Sequence, residues 1–310
     1  MRYNSHVCLR RQRYHKQWCW WPEVVTYNLY WWCVSDEYGN CPQFKDGKGF
    51  QQLYARIQQN GPFDLIGFQE CDDVGKIISG TSLATSFEYY TPTKGNDAPM
   101  AWSHTKFRAI DGPGTVWIAK DKYGNRNMNW VRLQVIGSSS IIFFANTHGP
   151  LDQCGGSPGE TVASNYINAV YSHKQPNDMV VFTGDFNCGS NQDTIKKLAE
   201  AFELDATDSS YNGADHIFSS GGVKILWKGS SVGAPSDHQL LKAVLESSAP
   251  SPPSPPSPPT GCPVPPDNGG CCISCSTNHY CPSNKGCYST GESGCAGGYC
   301  PAPAVEEVLV

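Results

Sequence analysis

The stretch Met179-Val180-Val181-Phe182-Thr183-Gly184-Asp185-Phe186-Asn187-Cys188 constrains this chain more than any other. Its four opening apolar residues read as a strand covered on both faces, the pattern of an interior strand in a helix-covered sheet. Thr183-Gly184 ends the run. Asp185 and Asn187 follow at i and i+2, which an extended backbone places on the same side. Strand ends of this kind are where α/β sheets bind ligands. Taken alone, a strand running into an Asx-type turn is the simpler reading.

The pattern recurs along the chain. The run Val24–Trp32 is β-branched and aromatic, reads as a strand and carries Asn28. Phe63–Glu70 reads as a buried strand ending in a carboxylate, and Ile141–Asn146 as one followed by His148. Further strands are expected over Phe87–Tyr90, Met100–Ser103, Thr115–Ala119, Trp130–Ile136, Asp215–Ser219, Val223–Trp227 and Gln239–Leu245, with Asp237-His238 before the last. Asp111-Gly112-Pro113-Gly114 and Gly137-Ser138-Ser139-Ser140 read as turns.

Helices are fewer. Phe50, Leu53, Tyr54 and Ile57 form an apolar stripe stopped by Asn60-Gly61-Pro62. A short helix is expected near Val74–Ser79 and another over Gln192–Phe202. Ser157-Pro158-Gly159-Glu160 has the form of a capping box and predicts a helix to Ser172, with Val162, Tyr166, Ile167 and Val170 inward. Acids, amides and imidazoles are costly to bury without partners. One at each strand end points to a phosphoester site, with oxygen ligands for a hard cation and two His for phosphate and proton handling.

Charge does not oppose this. A net charge of -5 gives no strongly basic footprint, but a metal ion supplies positive charge locally. Cysteine usage divides the chain: seven of 15 precede residue 190 and eight fall between Cys262 and Cys300. That density implies disulfides and an oxidising compartment, hence an extracellular or cell-wall location. Met1–Trp20 carries five basic residues and no apolar core of a signal peptide, which conflicts with the cysteines; we give the cysteines more weight. No apolar run is long enough to span a bilayer.

Cys33 and Cys41 are close enough for a local bridge, and Cys188 either pairs with an earlier Cys such as Cys154 or stays free. The organisation expected is an irregular segment 1–22, a catalytic-type domain 23–248, a Pro-rich linker 249–261, a Cys-rich module 262–301 and a tail 302–310. The Ser-Pro-Pro repeat favours polyproline II and a stiff spacer.

Phe68-Gln69-Glu70, Asn146-Thr147-His148, Gly184-Asp185-Phe186-Asn187, Asp215-His216-Ile217-Phe218 and Ser236-Asp237-His238 resemble, in order, the motifs of the endonuclease/exonuclease/phosphatase superfamily. The His in the third motif resembles the deoxyribonuclease I branch. The resemblance spans Val24–Glu246 and implies an α/β (α+β) fold: a four-layer sandwich of two packed sheets with outer helices, here followed by the disulfide-rich module.

It also implies roles. Glu70 is the main metal ligand, with Asn28 and Asp237 near the same ion; Mg2+ is expected, with Ca2+ and Mn2+ as alternatives. Asp185 activates the water and Asn187 holds it or a phosphate oxygen. Asp215 fixes the tautomer of His238, and His148 and His238 flank the phosphate. Asp97 falls where that branch has a carboxylate orienting the third-motif His. Trp31, Trp32 and Trp117 are either core or stacking residues.

The resemblance implies a monomeric nuclease acting on DNA in preference to RNA. Ala214-Asp215-His216-Ile217-Phe218 departs from the fourth motif of inositol polyphosphate 5-phosphatases. A sphingomyelinase-like or other small-molecule phosphodiesterase is the alternative. A third reading is an inactive domain whose Cys-rich tail contacts cell wall or matrix.

Overall fold

The computed structural model describes residues 22–93, 96–210, 213–220, 223–247, 278–281 and 286–289. The chain divides into two compact units, Met1–Ala249 and Pro250–Val310. Within the second, Asn278–Cys281 pairs antiparallel with Gly286–Ser289. The expected irregular start, the Pro-rich linker, the remainder of the Cys-rich module and the tail lie outside the described residues. No helix among the described residues is long and apolar enough to cross a membrane.

The first unit holds two six-stranded sheets. In chain order the strands are β1 Glu23–Asn28, β2 Leu65–Gln69, β3 Phe87–Tyr90, β4 Met100–Ser103, β5 Phe107–Asp121, β6 Gly124–Val135, β7 Ile141–His148, β8 Met179–Asp185, β9 Glu203–Thr207, β10 Asp215–Ser220, β11 Val223–Ser231 and β12 Leu240–Ser247. One sheet runs β11-β12-β1-β2-β4-β3, the other β5-β6-β7-β8-β10-β9. The pairs β1/β2 and β7/β8 are parallel, and every other pair is antiparallel.

The sheets pack face to face through Val24, Leu65 and Trp102 on one side and Val131, Phe144, Val181 and Ile217 on the other. Helices α2 Lys48–Asn60 and α3 Val74–Ser79 cover the first sheet, burying Phe50, Leu53, Ile57 and Ile77; a single turn, α1 Trp31–Val34, precedes them. Helices α4 Gly156–His173 and α5 Asp193–Ala201 cover the second through Val162, Tyr166 and Leu198. The four-layer sandwich is therefore as expected. Each fully buried aliphatic or aromatic side chain here contributes roughly 1.5–3 kcal/mol by its burial, so the three clusters supply the main drive for layering.

Several local expectations are corrected. The strand read over Val24–Trp32 stops at Asn28, because Asn28 Oδ1 accepts the Tyr30 N–H at 2.9 Å and Tyr30 turns left-handed at φ 56°; Trp31 and Trp32 begin a helix. Asp111–Gly114 is not a turn between strands. β5 runs through it, with register shifts absorbing the irregular residues. Ser157 is not the cap of α4. Gly155 is, and Asp193 accepts the Gly156 N–H at 2.7 Å in place of a hydroxyl cap. β9 was not anticipated.

β9 carries a buried cost. Asp205 is 0% exposed and its carboxylate has only the Ser219 hydroxyl nearby, without a hydrogen bond of good geometry, while Lys228 donates to its main-chain oxygen at 2.8 Å. Burial pushes the carboxyl up to about 7. A folded value above the unfolded one gives stability that is full below the ordinary carboxyl range and is lost as pH rises through about 7. Asp205→Asn is accordingly expected to raise the melting temperature at pH 8 and to flatten its fall between pH 5 and 8. Parallel thermal melts of both proteins check this.

Candidate active site

The two parallel pairs end at the same edge of the sandwich. On the second sheet the register sets His148 beside Asp185 and Asp185 beside Asp215, in one row facing the first sheet. The first sheet brings Asn28 and, one residue beyond β2, Glu70. Between them the motif residues Gln69 and Asn146 tie the sheets together. Gln69 Nε2 donates to Asn146 Oδ1 at 2.7 Å, and Asn146 Nδ2 donates to the Phe68 carbonyl at 2.8 Å. Gly67 leaves room for this crossing, since a Cβ there would lie 2.2 Å from both Asn146 Oδ1 and Thr183 Oγ1.

His238 arrives on the turn before β12. Ser236 Oγ donates to the Asn28 carbonyl at 2.7 Å and accepts the His238 N–H at 3.0 Å, while the Tyr27 hydroxyl bonds the Gly233 carbonyl. The turn is thus fastened to β1, and burial raises the Tyr27 hydroxyl well above its ordinary value.

Asp185 is the hub. Its Oδ2 accepts Asn28 Nδ2 at 3.0 Å, and its Oδ1 accepts the Asn187 N–H at 2.8 Å. His148 Nε2 and His238 Nε2 stand 3.8 and 3.7 Å from the same Oδ2. Each imidazole is held from behind: His148 Nδ1 by Asp97 and His238 Nδ1 by Asp215, both at 2.8 Å. Asn187 adopts φ 54° and donates its amide to the Gly149 carbonyl at 3.0 Å. Phe186 between them is buried against Phe182 and Phe218. The Asp185/Asn187 spacing therefore serves the site and Phe186 the core.

The electrostatics follow from these contacts. Burial pushes the Asp185 carboxyl up, but the two imidazoles, Asn28 and the Asn187 N–H outweigh it and hold it below its ordinary value. Burial works against the imidazolium of His148, yet Asp97 and Asp185 raise it to about 9. Asp215 and Asp185 likewise overcome burial at His238 and raise it to about 10. Burial pushes Asp215 up while its bond to His238 pulls the other way; we place the shared proton on the imidazole. His216, also buried, falls to about 4 and is neutral. Its Nε2 donates to the Cys188 carbonyl at 2.7 Å, so Nδ1 accepts from Thr207 at 2.9 Å.

The donor set suits a hard cation at Glu70. Burial raises this carboxyl; Oε1 accepts Asn28 Nδ2 at 3.3 Å and Oε2 is buried without a partner. Glu70 is held at φ 45°, a left-handed conformation that costs about 1–3 kcal/mol for a side-chain residue and clusters at functional sites. Asp185, Asp215 and His238 also bring ligand-type atoms within 4.8 Å of one another. That trio suits a cation less well, since His238 Nδ1 and Asp215 Oδ2 are spent on each other and a protonated imidazole cannot ligate.

Asn28, Glu70, His148, Asp185, Asn187, Asp215 and His238 are thus gathered at one sheet edge. Asp237 stands at the rim with its side chain exposed, and its charge, with that of Glu70, helps raise Tyr30 after burial. Trp31 is buried at 9% exposure, Trp32 is 37% exposed and Trp117 is 55% exposed. Sequence reasoning missed Arg126. It is buried, bonds Asp121 Oδ2 through Nε at 2.8 Å, and its charge acts on Asp97 and His148. Only the hairpin register brings it there, and no local sequence signal marks it.

The model of the Endonuclease/Exonuclease/phosphatase family matches residues 45–238. Among solved structures, an endonuclease/exonuclease/phosphatase from Bacteroides vulgatus superposes with TM-score 0.59 at 18% identity, over 73% of this chain and 99% of its own. The mannosyl-6-phosphatase Bt3783 of Bacteroides thetaiotaomicron gives 0.54 at 18% identity, over 72% and 99%. ANGEL2, a 2',3'-cyclic phosphatase, gives 0.59 at 15% identity, over 73% and 95%. At these identities the likeness speaks for the fold alone. No match is found among curated proteins.

Proposed function

The chain belongs to the endonuclease/exonuclease/phosphatase family, and on that footing we propose that it is a divalent-metal-dependent phosphodiesterase of the deoxyribonuclease I-like branch that cleaves nucleic acid, DNA before RNA. One observation carries the reading: two imidazoles, each held by its own aspartate, converge on Asp185 Oδ2 at 3.8 and 3.7 Å. An in-line displacement at phosphorus needs a base for water, charge for the non-bridging oxygens and a proton for the departing alkoxide. Ionised Asp185 takes the proton of the attacking water as the new P–O bond forms. Protonated His148 and His238 donate to the non-bridging oxygens, and one of them returns a proton to the alkoxide as the old P–O bond breaks.

Asn28 and the Asn187 N–H keep Asp185 in place. Glu70 is the residue that holds a divalent cation, with Asn28 and Asp237 beside it, and such an ion supplies charge to the phosphate; Mg2+, Ca2+ and Mn2+ all suit oxygen donors. The two disulfides among the described residues of the first unit are compatible with an extracellular location.

The test is a panel of plasmid DNA, RNA, sphingomyelin vesicles and a phosphomonoester, each with Mg2+ and with a chelator. Nicking of plasmid only in the presence of Mg2+ is expected. Hydrolysis of sphingomyelin or of the monoester beside intact plasmid would overturn the nuclease reading.

A further inference from the structure

The catalytic row does not stop at His148. Strand β6 pairs Met128 with Thr147, so the next step of this antiparallel register sets Asn127 opposite His148. Strand β5 pairs Trp117 with Asn127. Directly opposed residues present their side chains on one face. Packing supports the assignment on β5, β6 and β7. Asn146, Asn129 and Thr115 bond groups between the sheets, whereas Thr147, Met128 and Ile118 face α4. Trp117, Asn127, His148, Asp185 and Asp215 therefore form one row across five strands, and Trp117 is its open end at 55% exposure.

Trp117 is not loose. Asn165 Nδ2 donates to the Ile118 carbonyl and Gln153 Nε2 to the Lys120 carbonyl, each at 2.8 Å. Thr115 Oγ1 donates to Asn129 Oδ1 at 2.7 Å. A bulge between Trp117 and Ala119 turns both Ile118 and Ala119 into the helix-side core, which returns exposed Lys120 to the face of Trp117. An exposed indole on a rigid strand, followed by a cation on the same face, is the arrangement that binds single-stranded nucleic acid through a stacked base and its phosphate.

We propose that Trp117, with Lys120 beside it, is a stacking subsite for an unpaired base of a nucleic-acid strand whose scissile phosphate lies at His148 and Asp185. This rests on the nuclease reading above and names the form of its substrate. Two strand spacings separate Trp117 from His148, about 10 Å, or about three nucleotides at the ~3.4 Å helical rise of one strand. A base stacked inside a duplex has no free face for the indole, so the subsite adds affinity for single-stranded segments, while a duplex is cut without that gain and its KM is unmoved by Trp117→Ala. A bilayer is the poorer partner: apart from Tyr123 the hairpin tip, Asp121-Lys122-Tyr123-Gly124-Asn125, is polar, and Trp117 sits back from it.

The full chain and its Trp117→Ala and Trp117→Phe variants are assayed with Mg2+ on bis(p-nitrophenyl) phosphate, a dinucleotide, a 12-nucleotide single strand and the duplex of that strand. Expected is a KM for the 12-mer raised about tenfold by Trp117→Ala, the size of one lost base stack. Trp117→Phe restores most of it, and the kcat on bis(p-nitrophenyl) phosphate is unchanged in both variants. Wild-type KM that does not improve from dinucleotide to 12-mer overturns the subsite while leaving the hydrolase intact. So does an equal loss of Trp117→Ala on bis(p-nitrophenyl) phosphate, or a loss confined to binding of phosphatidylcholine/sphingomyelin vesicles. If wild type cleaves no phosphodiester, the nuclease reading fails; titration of the labelled 12-mer in chelator, wild type against Trp117→Ala, then decides the subsite by itself.

Discussion

Asp185→Asn is expected to lower kcat on a phosphodiester by about 10³-fold, within the 10²–10⁴ span of general acid–base catalysis. The substitution keeps size and shape, and the new amide oxygen still accepts the Asn187 N–H where Asp185 Oδ1 does now, at 2.8 Å. What disappears is the proposed base for water and the anion shared by two imidazoles. Asp185 is among the charges that raise His148 to about 9 and His238 to about 10. Both values should therefore drop in the variant, and the alkaline limb of its residual pH–rate profile should move to lower pH. Steady-state kinetics from pH 5 to 10, with circular dichroism to show an unchanged fold, check both points. Retained activity, or an unmoved alkaline limb, would remove Asp185 from the centre of the chemistry.

Glu70→Gln is expected to be equally damaging to turnover and to stabilise the metal-free protein. Without cation, wild type keeps a half-buried carboxylate whose Oε2 is covered without a partner and whose value is raised by burial. A raised acid gives stability that is lost as pH rises through the folded value. Gln removes that penalty, so the metal-free variant should melt higher than metal-free wild type at neutral pH. Added Mg2+ should raise the wild-type melting temperature, as a ligand at about 100 times its Kd stabilises by about 2.7 kcal/mol, and should leave the variant unmoved. Activity should fall by about 10³-fold in the variant, the order expected when a cation's several kcal/mol of charge stabilisation is lost. Melts with and without Mg2+ and chelator, beside plasmid nicking, measure all of this. An equal Mg2+ response in both proteins would place the ion elsewhere.

Much of the sandwich was legible because a strand end is a local event. An apolar run followed by one polar residue marks Glu70, His148 and Asp185 without knowledge of their neighbours, and each lies at an observed strand end. Resemblance added the order of the motifs, which no single run contains. What was illegible depends on register and on distant partners. Asp193 replaces the hydroxyl cap of α4 from 37 residues away. β5 continues through Gly112-Pro113 because β6 holds both sides of the irregularity. Tyr30-Trp31-Trp32 has strand composition, but Asn28 folds the chain over before propensity can act. Arg126 acts on His148 only across strand pairs, so it could not be told from a surface residue beforehand, and without the register Trp117 stayed open between core and stacking.

The disulfides described in the first unit have a consequence for how the site fails. Cys33–Cys41 ties α1 to its own loop on the first sheet's side. Cys154–Cys188 ties the loop after β7 to the loop after β8 on the second sheet's side. Neither crosses between the sheets, while Asn28 on the first reaches Asp185 on the second through a single 3.0 Å hydrogen bond. Among the described residues no disulfide closes the sandwich, so apart from the backbone that runs from one sheet to the other its closure is non-covalent. A reagent that parts the layers disassembles the reacting groups with both bridges intact, whereas each half is armoured against loosening within itself. Any turnover at this site reports the docking of two sheets, and an oxidised but undocked chain is silent.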